Sequence, residues 1–345
     1  MSIKPKKLLF ADDWFPITEL TDLQPQLLVV VDTEEEFDWD APFSRKSIGV
    51  KSIRRQSSLR EIYRRFGVRP VYVVDYPVAS QPAGYEPLRE LLECDECVIG
   101  AHLQPWVNYP DEEEINEFNS YPGNLPPELE RRKLEVLTDK ITKNFGQRPV
   151  IYKAGRYGLG AETFHTLTDM GYQVDLSPVP YYNLLNRHGP DFGSIRSHPY
   201  WIGKVGGLLT VPLTRDFYGP LHPFAAPIDR FLEKPIVRSL KIRGLLSRAR
   251  LLERSALTPE GVRVEEYTKL VEAMIARGHR IFSLTYHSPS LEPGHTPYVR
   301  TEADLALFIS SIEEFLETFM NRFGGKPTDP LSLRKLLRKR TGAEV

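Results

Sequence analysis

Asp32 ends a run of five apolar residues, L-L-V-V-V, and Glu34, Glu35 and Glu36 follow it before Phe37, Asp38 and Trp39. Acids just past the C-terminal end of a buried strand stand where an α/β fold does its chemistry. Other apolar runs end the same way. V-Y-V-V hands over to Asp75, C-V-I-G-A to His102, and V-I-Y to Lys153 with Arg156 and Tyr157 behind it. Q-V-D-L-S carries Asp175 and Ser177, L-L-T-V-P-L runs into Thr214 and Arg215, and I-F-S-L-T-Y ends on His287. One polar residue at a strand end means little, because loops are polar. Two histidines, several carboxylic acids and three cations delivered to one rim point to acid–base or metal-assisted chemistry over simple binding. His287 carries the most weight, since a histidine closing a buried apolar strand needs a partner or a purpose.

A set of parallel strands must position these residues. The runs 27–31, 71–75, 97–101, 150–153, 173–177, 208–213 and 281–286 read as buried strands. Helical patterns separate them: 52–66 ended by Gly67, 87–93, a long helix from Pro126 to Gly146, 161–170 closed by Gly171, and 263–277 closed by Gly278. A last helix spans 301–323. Strand and helix alternate seven times, which predicts one parallel α/β domain of barrel type over 27–323. Residues 1–26 read as an N-terminal extension and 324–345 as a basic C-terminal tail. Residues 225–257 form an insertion with eight basic residues against three acidic, a net charge of +5. A basic amphipathic stretch can touch anionic lipid, giving an expectation of peripheral membrane contact; the commoner use is to lay long side chains over the protein's own body.

The chain has 345 residues and a formal net charge of -1, which gives no global reason to expect nucleic acid. Its N-terminus, M-S-I-K-P-K-K-L-L-F-A-D-D-W, has too short an apolar core for a signal peptide, and no apolar run is long enough to span a membrane. A cytoplasmic protein is the expectation. The two cysteines make one C-D-E-C at Cys94 and Cys97, with no second pair to complete a zinc site.

The order of motifs resembles that of the NodB-type polysaccharide deacetylases, metal-dependent amide hydrolases on a distorted seven-stranded (β/α) barrel. D-T-E-E-E-F-D-W is similar to their first motif, in which one acid is the general base and a second a metal ligand; by resemblance these are Asp32 and Glu34. G-A-H-L-Q-P-W resembles the second motif, which makes His102 a metal ligand. R-P-V-I-Y-K-A-G-R-Y-G resembles the third, whose central arginine pairs with the base; Lys153 replaces it here, with Arg156 nearby. V-D-L-S-P-V-P falls where the fourth lies, and S-L-T-Y-H-S-P-S-L resembles the fifth, making His287 the general acid. The resemblance spans about Leu27 to Phe319.

That resemblance implies removal of an N-acetyl group from an amino sugar or polysaccharide precursor, with a divalent metal, expected to be zinc, on Glu34 and His102. Asp32 would take a proton from water, held ionised by Arg156 or Lys153, and His287 would protonate the departing amine. Trp39, Asp75, Trp106, Tyr157 and Asp175 are the expected substrate contacts, Trp201 being a further aromatic in reach. One departure stands out: the family's second motif places another ligand four residues after the first, and Trp106 occupies that position. Asp75, Asp38, Gln104 and His198 are the substitutes in view. The departure motivates a second reading, a degenerate barrel that binds a sugar or a protein without turnover. A glycosidase using two rim acids ranks third, because it leaves His102 and His287 idle.

Overall fold

The computed structural model describes residues 13–232 and 242–343. Seven strands form a parallel core: Gln26–Thr33 (β2), Val71–Val74 (β3), Val98–Leu103 (β4), Ile151–Ala154 (β5), Val174–Asp175 (β6), Leu208–Thr210 (β8) and Ile281–His287 (β11). They lie in the order β8–β6–β5–β4–β3–β2–β11, each parallel to its neighbour. This is the distorted seven-stranded (β/α) barrel expected. Antiparallel strands Tyr200–Ile202 (β7) and Trp14–Pro16 (β1) extend the β8 edge, and Lys326–Pro327 (β12) pairs with β2. A separate hairpin joins Arg215–Tyr218 (β9) to Glu253–Ala256 (β10).

The distortion has a location. The two ends of the parallel path, β8 and β11, are joined by loop contacts in place of a ladder. Thr214 Oγ1 accepts from Ser283 N at 2.8 Å, Leu257 N donates to Thr214 O at 2.9 Å, and Thr285 N donates to Leu257 O at 3.1 Å.

Alternation decides what fills the barrel, because successive side chains in a strand face opposite ways. Leu28 and Val30 of β2, Val71 and Val73 of β3, Val98 of β4, Ile151 of β5 and Ile281 of β11 form one apolar cluster inside the barrel. Their neighbours Leu27, Val29, Val31, Tyr72, Val74, Tyr152 and Leu284 pack outward against the helices. Further along the same inward parity, toward the C-terminal ends, come Asp32, Asp75, His102, Lys153 and His287. The interior is therefore apolar at its N-terminal end and ionisable at its C-terminal end. Gly100 keeps β4 close to its neighbours, since a Cβ there would stand 2.9 Å from Val73 Cγ1 and 3.0 Å from Ile151 O.

Two segments read from sequence as extensions contribute to this body. Beyond β12, Pro330–Arg340 is a helix whose N-terminus is capped by Asp329, which accepts from Leu331 N and Ser332 N at 3.0 Å. Its Leu333 and Leu337 join the interior apolar cluster and close the bottom of the barrel. At the other end of the chain, β1 puts Trp14 edge-on to Phe164 and Tyr200. The basic insertion includes helices Ala225–Leu232 and Ile242–Arg248; its Lys234, Arg238 and Lys241 lie outside the described residues. Among the described residues no helix is long and apolar enough to cross a membrane.

Candidate active site

Strand register brings the chemistry together before any side chain is considered. His287 stands opposite Asp32 across β11–β2, and His102 opposite Lys153 across β4–β5. Lys153 is fully buried and its Nζ reaches across the barrel to both oxygens of Asp32, at 2.5 and 2.7 Å, and to Thr285 Oγ1 at 3.4 Å. Burial works to raise the pKa of Asp32, but the Lys153 charge, with His102 and His287, outweighs it and holds the carboxyl below its ordinary value. On the other side of Asp32, His287 Nε2 lies 3.8 Å from Oδ2. Its Nδ1 is 2.7 Å from Glu260 Oε2, and Glu260 Oε1 accepts from the His287 backbone N–H at 2.9 Å. Burial disfavours the charged imidazole, yet Glu260, then Glu34 and Asp32, raise its pKa to about 10. His287 is thus held protonated beside an ionised Asp32. The two side chains thus stand side by side in opposite charge states, the arrangement that acid–base chemistry requires.

The second half of the site is built from Glu34 and His102. His102 Nδ1 lies 3.0 Å from Lys153 O. A carbonyl oxygen only accepts, so Nδ1 carries the hydrogen and Nε2 faces Glu34 Oε2 at 3.6 Å. That same Oε2 accepts from Gln104 Nε2 at 2.7 Å, and Glu34 N donates to Ser288 Oγ at 3.1 Å. Glu35 is tied in as well: its Oε1 accepts from Trp106 Nε1 at 2.8 Å and its backbone N–H donates to Asp75 Oδ2 at 2.7 Å. Burial raises the pKa of Glu35 and Asp75 alike, and the Asp75 charge pushes Glu35 further, so Glu35 holds the proton of the pair.

Other expected residues separate into wall and scaffold. Trp39 lies edge-on over His287 with centroids 5.0 Å apart, stacked on Phe37 at 5.1 Å. Tyr157 lies beneath Lys153, 5.5 Å from Nζ to the ring centre. Arg156 is corrected: in the left-handed region at φ 51°, it turns away from Asp32 to hydrogen-bond Ser120, with its guanidinium over Phe43 and Tyr121. Of the two cations, it is Lys153 that pairs with Asp32. Asp175 is corrected as a substrate contact, because it pairs with Tyr152 and so faces the helix layer, bonded to Ser177 and Thr210. Asp75 caps the helix Tyr76–Ser80 through Val78 N, committing both of its oxygens. Trp106 is buried, and Trp201 lies in the barrel interior. Glu260 escaped the sequence reading: it sits in a T-P-E-G turn outside any strand, 27 residues before His287, and only seam closure brings it there.

Solved structures match over nearly the whole chain, and two of them bear on the fold. One is a protein assigned as a polysaccharide deacetylase from Mycobacterium smegmatis, with TM-score 0.58 and 16% identity over 95% of this chain and 94% of its own. The other, assigned likewise and from Pseudomonas aeruginosa PAO1, has TM-score 0.52 and 14% identity over 91% of each chain. The chain has the polysaccharide-deacetylase fold. No protein-family model and no curated protein matches the sequence.

Metal is implied for this deacetylase fold, and the donor set can be tested against it. A catalytic zinc takes three protein ligands. Glu34 Oε1 is buried without a partner and His102 Nε2 faces the same carboxyl group, which supplies two donors. Trp106 fills the third position with its N–H turned to Glu35. Of the substitutes, Gln104 presents N–H to Glu34, Asp75 is committed as a cap, Asp38 accepts from Asp40 N in solvent, and His198 lies at the opposite end of the barrel beside Ile281. Among the described residues no three His, Cys, Asp or Glu side chains converge to hold an ion. The residues present do not complete a zinc centre.

Proposed function

We infer that the protein hydrolyses an amide C–N bond, removing an N-acetyl group from an amino sugar or polysaccharide precursor. The observation that carries this reading is the line Lys153–Asp32–His287–Glu260 at the mouth of a deacetylase-type barrel. Asp32, kept ionised by Lys153, takes the proton from a water molecule as its oxygen attacks the acetamide carbonyl carbon. His287 stabilises the developing oxyanion by its charge and then donates its Nε2 proton to the departing amine nitrogen, and the C–N bond breaks. Glu260 fixes the tautomer and tilt of the imidazole. These steps are assigned to the chain's own groups, with no step through a metal.

Acetate release from N-acetylglucosamine oligomers tests the reading, with Asp32→Asn and His287→Ala as variants. Each should lower turnover by about 10²–10⁴-fold, and a chelator should leave the wild type unchanged. Absence of acetate from every N-acetylated sugar, or full turnover in both variants, would sink it. The Gln104–Glu34 bond favours a second reading, a barrel that binds saccharide without cleaving it. Saccharide binding to wild type with no acetate released would select that one.

A further inference from the structure

We propose that the wall around Arg215 binds an anionic group, a carboxylate or a phosphate, carried by the substrate beside its reacting amide. Arg215 opens β9 directly after Thr214, at the seam above the C-terminal strand ends. Its Nη1 donates to Pro180 O at 3.0 Å and Tyr181 O at 3.1 Å, and its guanidinium lies 4.7 Å from the Tyr182 ring centre. Those contacts fix one corner of the fork. Among the described residues nothing engages Nε or Nη2, and no carboxylate stands within ion-pairing distance. The nearby acids are committed: Asp229 to Arg254 at 3.4 Å, Asp216 to Arg277 at 2.9 Å, and Glu260 to His287 at 2.7 Å.

Arg215 therefore presents a half-buried charge with donors to spare, next to the like charge of Arg254. Burial first, and Arg254 second, lower its pKa to about 10, the direction expected of a cation short of counter-charge. A desolvated guanidinium is costly until an acceptor with matching geometry arrives, and its fork suits carboxylate and phosphate. The place is also right. Tyr157 lies within electrostatic reach of Asp32 and Glu260 and also of Arg215, and Tyr182 acts on both Tyr157 and Arg215. At the reacting end Asp32, Glu34 and Glu260 repel an anion, so a charged substrate has one orientation: amide toward His287, acid toward Arg215. This deepens the hydrolase reading and shares its placement of the amide.

Equilibrium binding of three sugars to the full chain tests the inference: N-acetylglucosamine, N-acetylglucosamine 1-phosphate and N-acetylmuramic acid. Wild type should bind at least one acidic sugar about ten-fold or more tighter than the neutral one, and the two acids compared tell phosphate from carboxylate. Arg215→Gln should lose that preference while keeping its affinity for the neutral sugar. Arg215→Lys, which retains charge without the fork, should keep a smaller preference and serves if the glutamine variant does not fold. Equal affinity of wild type for all three, no binding of any, or a preference that survives Arg215→Gln overturns the inference. Binding is read without turnover, so a protein that prefers acidic sugars but releases no acetate would fail the hydrolase reading alone. Acetate release without the preference would fail only this one.

Discussion

His287 shows how one residue's surroundings set its chemistry. Free histidine titrates near 6.5, whereas here Glu260, Glu34 and Asp32 overcome burial and raise it to about 10. The sign follows from which state binds the proton more tightly. The folded protein does, so the stabilisation is fully present below the unfolded pKa and is lost as pH rises through about 10. Turnover should accordingly be flat across neutral pH and fall along an alkaline limb near 10. Glu260→Gln, which keeps the shape and removes the charge, should move that limb down by at least about one pH unit, and Glu260→Asp should restore part of it. A pH–rate profile of the three proteins decides the matter. An unmoved limb would mean that Glu260 only packs against the ring. Glu260 is a positioning residue in this scheme, since it acts through His287.

At the scale of elements, the end of β4 and the turn after β5 hold Gln104 against Glu34 through one glycine. A Cβ on Gly155 would stand 2.5 Å from Leu103 O and 2.7 Å from Gln104 Oε1. Neither can retreat cheaply, because Leu103 belongs to β4 and Gln104 is bonded to Glu34. Gly155→Ala should therefore cost about 1–3 kcal/mol of stability, read by urea unfolding, and should weaken substrate binding beyond what the stability loss explains. Unchanged stability would show that the loop shifts freely and that Gln104 is not held there. The same scale explains what the strand reading missed. Apolar runs announced all seven parallel strands, but β1, β7, β9, β10 and β12 are two to four residues long and bracketed by loops. β6 and β8 are as short, but they sit inside the apolar runs 173–177 and 208–213, whereas W-F-P, R-D-F-Y, E-R-S-A and K-P have no such run to announce them.

At the scale of the molecule, the C-terminal segment is part of the barrel. Its arginines tie it to the body: Arg334 donates to Gly206 O and Gly207 O with its guanidinium 5.9 Å from the Trp201 ring centre, and Arg340 pairs with Asp22. Its Leu333 and Leu337 face the apolar cluster inside. A chain stopped after Phe323 would lose both leucines, each worth about 2 kcal/mol, and would open the bottom of the barrel to water. We expect its melting temperature to fall by about 10 °C or more, measured by circular dichroism. A truncated chain that melts with the full-length protein would return this helix to the status of a tail. Charge pattern alone hid the helix's role, because its basic residues outnumber the two leucines that dock it.

Inward and outward faces were legible in the chain from the start, since a strand's parity is a local property of its backbone. It puts Asp32, His102, Lys153 and His287 on one rim, and the buried apolar runs before them make that rim the end of a parallel sheet. What parity could not supply was distance. Lys153 or Arg156 could each have neutralised Asp32 by sequence; a strand residue crosses the barrel, whereas a turn residue at φ 51° points elsewhere. Asp175 looked equivalent to Asp75, yet its pairing with Tyr152 turned it to the helices. Glu260 entered only when the seam between β8 and β11 closed through Thr214 and Leu257. Trp106 could be read as a departure from its spacing alone, but only the folded site gives its N–H to Glu35 and leaves two donors where a zinc needs three. Contacts between residues far apart in the chain depend on how the sheet curls and where it closes, and no local pattern encodes that.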